Sequence, residues 1–364
     1  MYMLPTTFVA ALAMASGANA WFRLSCTDPL VQERVDPVVQ PGSTPSQHVH
    51  TVHGGKNFRS NSTYASLRAS SCTSCLIKQD LSNYWFPKLY FRDPKTKRFE
   101  AVANGGLLVY YQNRGTQDVI NGGPGLKAFP EGFKMVSGNP YSRSKKYAEG
   151  LGTQAELRER AAGWICLRYT TSNPDYEGHG FPTTDCEAGF QSRLHMPACW
   201  DGKNVDSADH MSHVAYLSQL DNGNCPSTHP VGLMKMFYEV TWNIHDFASR
   251  WTAADGWPFV YATGDPTGYS WHGDFQNGWD IPALQNAINN CNNPNDQTFN
   301  GITEACKYFT VGAAATQNQC KIAAADKEVK ETIDGGKLAK LPGCNPIQAG
   351  PGDATLYTEK NCPA

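Results

Sequence analysis

The chain has little charge and no long apolar run. Asp, Glu, Lys and Arg make up 18% of its 364 residues, below the roughly 25% of an ordinary soluble domain. The net charge is -2 and no stretch gathers Lys and Arg into a stripe, which argues against nucleic acid as a partner. No segment reaches the roughly 20 apolar residues that cross a bilayer, so a membrane-spanning protein is excluded. The nearest approach, Phe8 to Ala15, is followed by Ala18-Asn19-Ala20, the small-x-small ending that signal peptidase reads. Residues 1–20 are therefore expected to be a signal peptide and the mature chain to begin near Trp21. No internal repeat is visible, and Cys72-Thr73-Ser74-Cys75 has no second Cys-x-x-Cys to complete a zinc ribbon. Disorder is excluded by a hydrophobic share of 40%.

What the chain does have is cysteine. All twelve (Cys26, Cys72, Cys75, Cys166, Cys186, Cys199, Cys225, Cys291, Cys306, Cys320, Cys344 and Cys362) follow the cleavage site. An even count behind a signal peptide reads as a disulfide framework of a secreted, extracellular protein. Spacing leaves the pairing open. Asn61-Ser62-Thr63 is a glycosylation sequon and marks a surface loop.

Gly and Pro, 33 and 23 residues, punctuate the chain between short runs rich in aromatic and β-branched residues. Such runs are Leu107–Tyr111, Phe133–Val136, Trp164–Tyr169, Ser212–Tyr216, Met236–Trp242 and Phe259–Tyr261. This pattern predicts a mainly β protein, an antiparallel sandwich or distorted barrel with long loops and a few helices. Asp280 and Pro282 start one helix as N-cap and first-turn proline, with Leu284, Ala287, Ile288 and Cys291 on one face. A second helix is expected over Lys327–Ile333, ending at Gly335-Gly336. Residues 139–162 look like an insertion between strands. A β-rich main domain is expected over 21–292, and 293–364 reads as a cysteine-containing extension packed on it.

Histidine carries the chemical signal. In Gln47-His48-Val49-His50-Thr51-Val52-His53-Gly54-Gly55, an extended backbone puts His48 and His50 on one face. Two imidazoles so placed suit a metal or a polar cleft, and the Gly-Gly lets backbone approach what is bound. His210 and His213 lead into a strand. In Ser270-Trp271-His272-Gly273-Asp274-Phe275, His272 and Asp274 also alternate across a glycine. Among carboxylates, Asp201 and Asp274 are candidates for acid and base at a glycosidic bond. Asp265 and Asp280 have turn and N-cap readings. A lyase would need a base such as His and a neutraliser for a uronate carboxyl group. Trp271, Trp279, Tyr269 and Tyr84 are expected to line a cleft, since an aromatic plate packs on the apolar face of a sugar.

The motifs Arg34-Val35-Asp36-Pro37, His48-Val49-His50, Gly54-Gly55, Cys72-Thr73-Ser74-Cys75, Tyr84-Trp85-Phe86-Pro87, Cys199-Trp200-Asp201-Gly202, Ser212–Tyr216, Gly264–Gly268 and His272–Phe275 with Gly278-Trp279-Asp280 resemble a secreted fungal family. It is catalogued as domain of unknown function 1996. The resemblance covers about residues 34–291; Leu217 stands where members tend to have proline. It implies an extracellular setting, in some members alongside wall-associated or cellulose-binding modules, and no reaction.

Together these readings predict a secreted protein acting on wall or biomass polysaccharide, a hydrolase or lyase with His272, Asp274, Asp201 and His213 in one cleft. One alternative is a non-catalytic glycan-binding or cell-wall protein. Another is an enzyme with zinc or copper held by His48 and His50 with His213 or His272. The expected start at Trp21 does not support a copper site built on an N-terminal histidine.

Overall fold

Alternation of apolar and polar side chains along short strands produces two stacked antiparallel sheets. The computed structural model describes residues 22–170, 174–291, 297–298, 301–334 and 337–363; the expected signal segment and Gly335-Gly336 lie outside these. One sheet has six strands in the order Phe22–Cys26, Leu107–Gln112, Lys235–Trp242, Gly189–His195, Ala162–Leu167 and Tyr176–Gly178. The other has five, in the order Val31–Glu33, His50–Gly54, Asn83–Pro87, His272–Gln276 and Lys134–Gly138. Among the described residues there are also two three-stranded sheets, and no sheet closes into a barrel. No helix among the described residues is long and apolar enough to cross a membrane.

The sheets meet through aromatic side chains. Tyr84 and Phe86 of the five-stranded sheet lie 6.0 and 5.9 Å from Tyr238 and Trp242 of the six-stranded one. Gly273 explains the central residue of the His-Gly-Asp motif. A Cβ there would come within 2.8 Å of Leu194 and 3.1 Å of Tyr238, so the glycine lets the sheets close while His272 and Asp274 turn outward. That outer face is itself buried. Val52, Trp85 and Val136 pack there with Val35, Val38, Phe58 and Ile322, which keeps these apolar groups from water.

The C-terminal chain is bound to this outer face. Disulfide Cys72–Cys320 spans 248 residues; buried Arg34 pairs with Glu331 at 2.7 Å and Glu359 at 2.9 Å. All twelve cysteines are paired: Cys26–Cys75, Cys166–Cys186, Cys199–Cys225, Cys291–Cys306 and Cys344–Cys362 complete the set. Cys72 and Cys75 thus have separate partners.

The helix Ile281–Asn290 forms with the Asp280 carboxylate accepting from the Ala283 amide. The helix expected at Lys327–Ile333 does not form; this segment is irregular. Its groups bond the main domain instead, Lys327 Nζ donating to Gln32 O, the Val329 amide to Glu33 and Glu328 accepting from Ser60. Tertiary hydrogen bonds outweigh a weak local propensity over so few residues.

Gly54-Gly55 serves the fold and not a ligand. A Cβ on Gly54, at φ +112°, would lie 1.8 Å from Ser82 O, and one on Gly55 2.5 Å from Leu81 O. Gly54→Ala is expected to lose more than about 2 kcal/mol, combining left-handed strain with overpacking. Gly42→Ala, at φ +67° with open space around it, should lose only about 1 kcal/mol. Urea unfolding of both variants checks this; equal losses would contradict the close-approach role.

Candidate functional site

Register brings two distant histidines into one row. His50 lies opposite Pro87 on the neighbouring strand, while His272 lies opposite Gly138 on its other side. Since Asp274 faces Trp85, two residues further along the same strands His272 stands level with Pro87. His48, just before its strand, folds onto the same face. Ring centroids are 4.3 Å apart for His48 and His50, 5.0 Å for His48 and His272, and 6.3 Å for His50 and His272. One nitrogen from each ring lies within 4.8 Å of the others.

Backbone carbonyls fix two of the rings. His50 Nδ1 donates to Val35 O at 3.1 Å and His272 Nδ1 to Ser270 O at 2.7 Å, because a carbonyl can only accept. Each therefore presents an Nε2 lone pair to the cluster. His50 Nε2 is buried without a partner; His272 Nε2 meets His48 Nε2 at 3.1 Å, which makes His48 the donor. Burial pushes His50 and His272 down to about 4 and His48 well below its ordinary value, helped by the two neighbouring rings. All three are neutral at physiological pH, the state a metal ligand requires. A second nitrogen tied to backbone is the usual support of a ligating imidazole. The residues present fit a divalent transition ion.

Two carboxyls share the site. Burial and then the Asp36 charge hold the Asp274 carboxyl well above the usual carboxylate range, and Asp274 Oδ2 is buried without a partner. Burial also raises Asp36, against the amides of Val38 and Val39 that donate to its Oδ1. A nearby cation would favour ionisation of both. The groups line a pocket of about 160 Å³. Its far wall is Arg143 together with Cys344, Asn345, Gln348 and Leu356 from the C-terminal chain. Sequence reasoning gave Asp36 only as part of a family motif and missed Arg143 and this wall, since nothing local marks a segment some 300 residues away.

The loop entering the site is set by Asp265. Its carboxylate accepts from the Thr267 amide and hydroxyl and the Ser270 amide, and Ser270 O then holds His272. The turn reading of Asp265 is thus a positioning role.

Other expected residues lie elsewhere. His213 is at the opposite end of the Lys134–Gly138 strand from His272: its Nε2 donates to Lys134 O at 2.7 Å, and its Nδ1 meets Ser207 Oγ at 2.9 Å. That separation is about 13 Å at the rise of a strand, so His213 does not join the cluster. Asp201 neighbours it there, its carboxylate capping the turn at Lys203 and Asn204. His53 projects to the other sheet face and stacks on Phe86. Trp271 is buried against Tyr261, with ring centroids 5.3 Å apart. Tyr269 is half-buried beside Gly180. None of His213, Asp201, Trp271, Trp279, Tyr269 and Tyr84 lines the pocket.

Tyr84 and Trp279 belong to a buried relay. Trp279 Nε1 donates to the Tyr111 hydroxyl at 2.8 Å, Tyr111 lies 2.6 Å from Tyr84, and Tyr84 donates to Asp80 Oδ2 at 2.5 Å. Indole can only donate, so the relay runs towards Asp80. The period-two pattern shows only that such residues alternate, not which sheet face is the core between layers.

The chain belongs to the family described as Domain of unknown function (DUF1996), whose model matches residues 36–279. No curated protein and no solved structure matches it. The matched region holds all three histidines and both carboxyls but ends before the C-terminal wall of the pocket.

Burial pushes Asp80 up to about 6, from about 3.9 in an unfolded chain. Between these values the native state holds a proton that the unfolded state has lost. The stabilisation is present below about pH 4 and disappears as pH rises through about 6. Urea unfolding at several pH values should show this slope flattened in Asp80→Asn; an unchanged slope would contradict it.

Proposed function

We propose that this member of the family is a secreted metalloenzyme in which His48, His50 and His272 hold zinc or copper at the base of a small pocket. The observation that carries the reading is the pair of carbonyl-fixed imidazoles, His50 and His272, turning buried Nε2 lone pairs towards one point. Leaving the His50 acceptor buried and unpaired costs free energy that an ion would offset. A three-histidine set resembles catalytic zinc sites, which keep a position open, more than four-ligand structural ones. When bound, the ion supplies Lewis-acid polarisation and a water of lowered pKa. Asp274 Oδ2 is the group placed to take or return a proton, and Val35 O and Ser270 O keep the rings oriented. Six disulfides are compatible with export, and exposed Asn61 is a candidate glycosylation site.

Wall polysaccharide as substrate fits this geometry only through a chain end, because a pocket of about 160 Å³ admits about one ring. The glycan-binding alternative loses its main support, since Tyr84, Trp271 and Trp279 are buried in the core and form no exposed strip.

Protein purified without chelators should carry about one ion per chain by mass spectrometry, and stripped protein should take up zinc or copper again. His50→Ala and His272→Ala should each weaken uptake at least about tenfold, while His213→Ala leaves it unchanged. No uptake by the wild type, or equal uptake by the His50→Ala/His272→Ala double variant, would remove the reading.

A further inference from the structure

We propose that the pocket takes a neutral amphiphile of one-ring size, a phenol or similarly hydroxylated aromatic, with its hydroxyl towards the histidine floor and its ring against Val39, Tyr141 and Leu356. The inference specifies the ligand of the site described above and so rests on that reading. Size is the first argument. The volume of about 160 Å³ is close to the roughly 150 Å³ of an engineered cavity that accepts benzene. It is well short of the roughly 300–1,000 Å³ of sites for larger ligands.

The mouth is the second argument. Val39, Tyr141 and Leu356 line it and are 50%, 38% and 49% exposed. Large apolar side chains left together at the rim of a polar floor mark a binding surface. They suit a ligand whose outer part is apolar.

Third, the polar groups of the walls are already engaged with one another. Gln47 Nε2 donates to Cys344 O and Tyr357 O, and Asn345 Nδ2 to Gln47 O and Pro342 O. The Gln348 amide bonds the Thr355 backbone in both directions. The Arg143 guanidinium donates to the carbonyls of Pro140, Ser142, Thr263 and Gln348. A pyranose, with hydroxyls around its ring, would bury several of them unpaired at about 1–3 kcal/mol each. A carboxylate would find four of the five guanidinium N–H groups already bonded and would face Asp36 and Asp274. The fully buried side-chain atoms left without a partner at the base are His50 Nε2 and Asp274 Oδ2. A ligand hydroxyl reaches this floor through an ion held between the rings, or by a small side-chain shift that uncovers one of these two atoms.

Calorimetric titration of the full mature chain, metal-loaded and metal-stripped, with 4-methylphenol, 4-methylbenzoate and methyl β-glucoside tests this. The phenol should bind one per chain, at least about tenfold more tightly than the other two. Tyr141→Ser and Leu356→Ser should each weaken it about fivefold or more, with metal content and thermal melt unchanged. Glucoside or benzoate binding as tightly as the phenol, or phenol binding indifferent to both substitutions, would overturn the assignment. Phenol binding by a protein that takes up no ion would sustain the ligand assignment and remove the metal reading. Ion uptake without phenol binding would do the reverse.

Discussion

The two-residue alternation of the His272–Gln276 strand is the constraint on which the site depends. Gly273 and Phe275 face the six-stranded sheet, and the closeness of Gly273 to Leu194 and Tyr238 leaves no room for another side chain. His272 and Asp274 must then point the other way. A one-residue slip would exchange the two sets and lose both the core contact and the cluster. The neighbouring strands follow the same register, which sets His50 level with His272 across Pro87.

The site is costly to build, and this bears on its role. Three neutral imidazoles and two carboxyls are buried on an outer sheet face where apolar residues would pack with less penalty. The protein keeps them by covering that face twice, first with the loop containing Asp36 and His48 and then with the C-terminal chain. Arg34, buried between them, joins Ser46 of the first cover to Glu331 and Glu359 of the second. The histidines and carboxyls and part of the surrounding wall therefore come from different parts of the sequence. The first part lies within the family match and the C-terminal part of the wall lies outside it.

Much of this was legible in the sequence where the signal was local. Short aromatic runs between Gly and Pro indicated antiparallel sheets, and Asp280 with Pro282 marked a helix start. His48-x-His50 and His272-x-Asp274 identified side chains sharing a face, because alternation depends on nothing beyond the strand. Long-range information was not there to read. Trp279 and Tyr84 look the same in sequence whether they line a cleft or bond Tyr111 in the core. His213 precedes a strand of a separate sheet and meets Lys134, at the far end of the strand that pairs with His272, a fact of tertiary packing alone. Lys327–Ile333 has tolerable helical composition, yet Lys327, the Val329 amide and Glu331 find stronger partners on Gln32, Glu33 and Arg34.

The central claim is that three imidazoles from two distant segments share one ion. X-ray absorption at the metal edge of the zinc- or copper-loaded protein addresses it directly. The account predicts a first shell with three imidazole nitrogens, near 2.0–2.1 Å for zinc, falling to two in His272→Ala. A shell of oxygens without imidazole scattering, or one unaltered by that substitution, would contradict it.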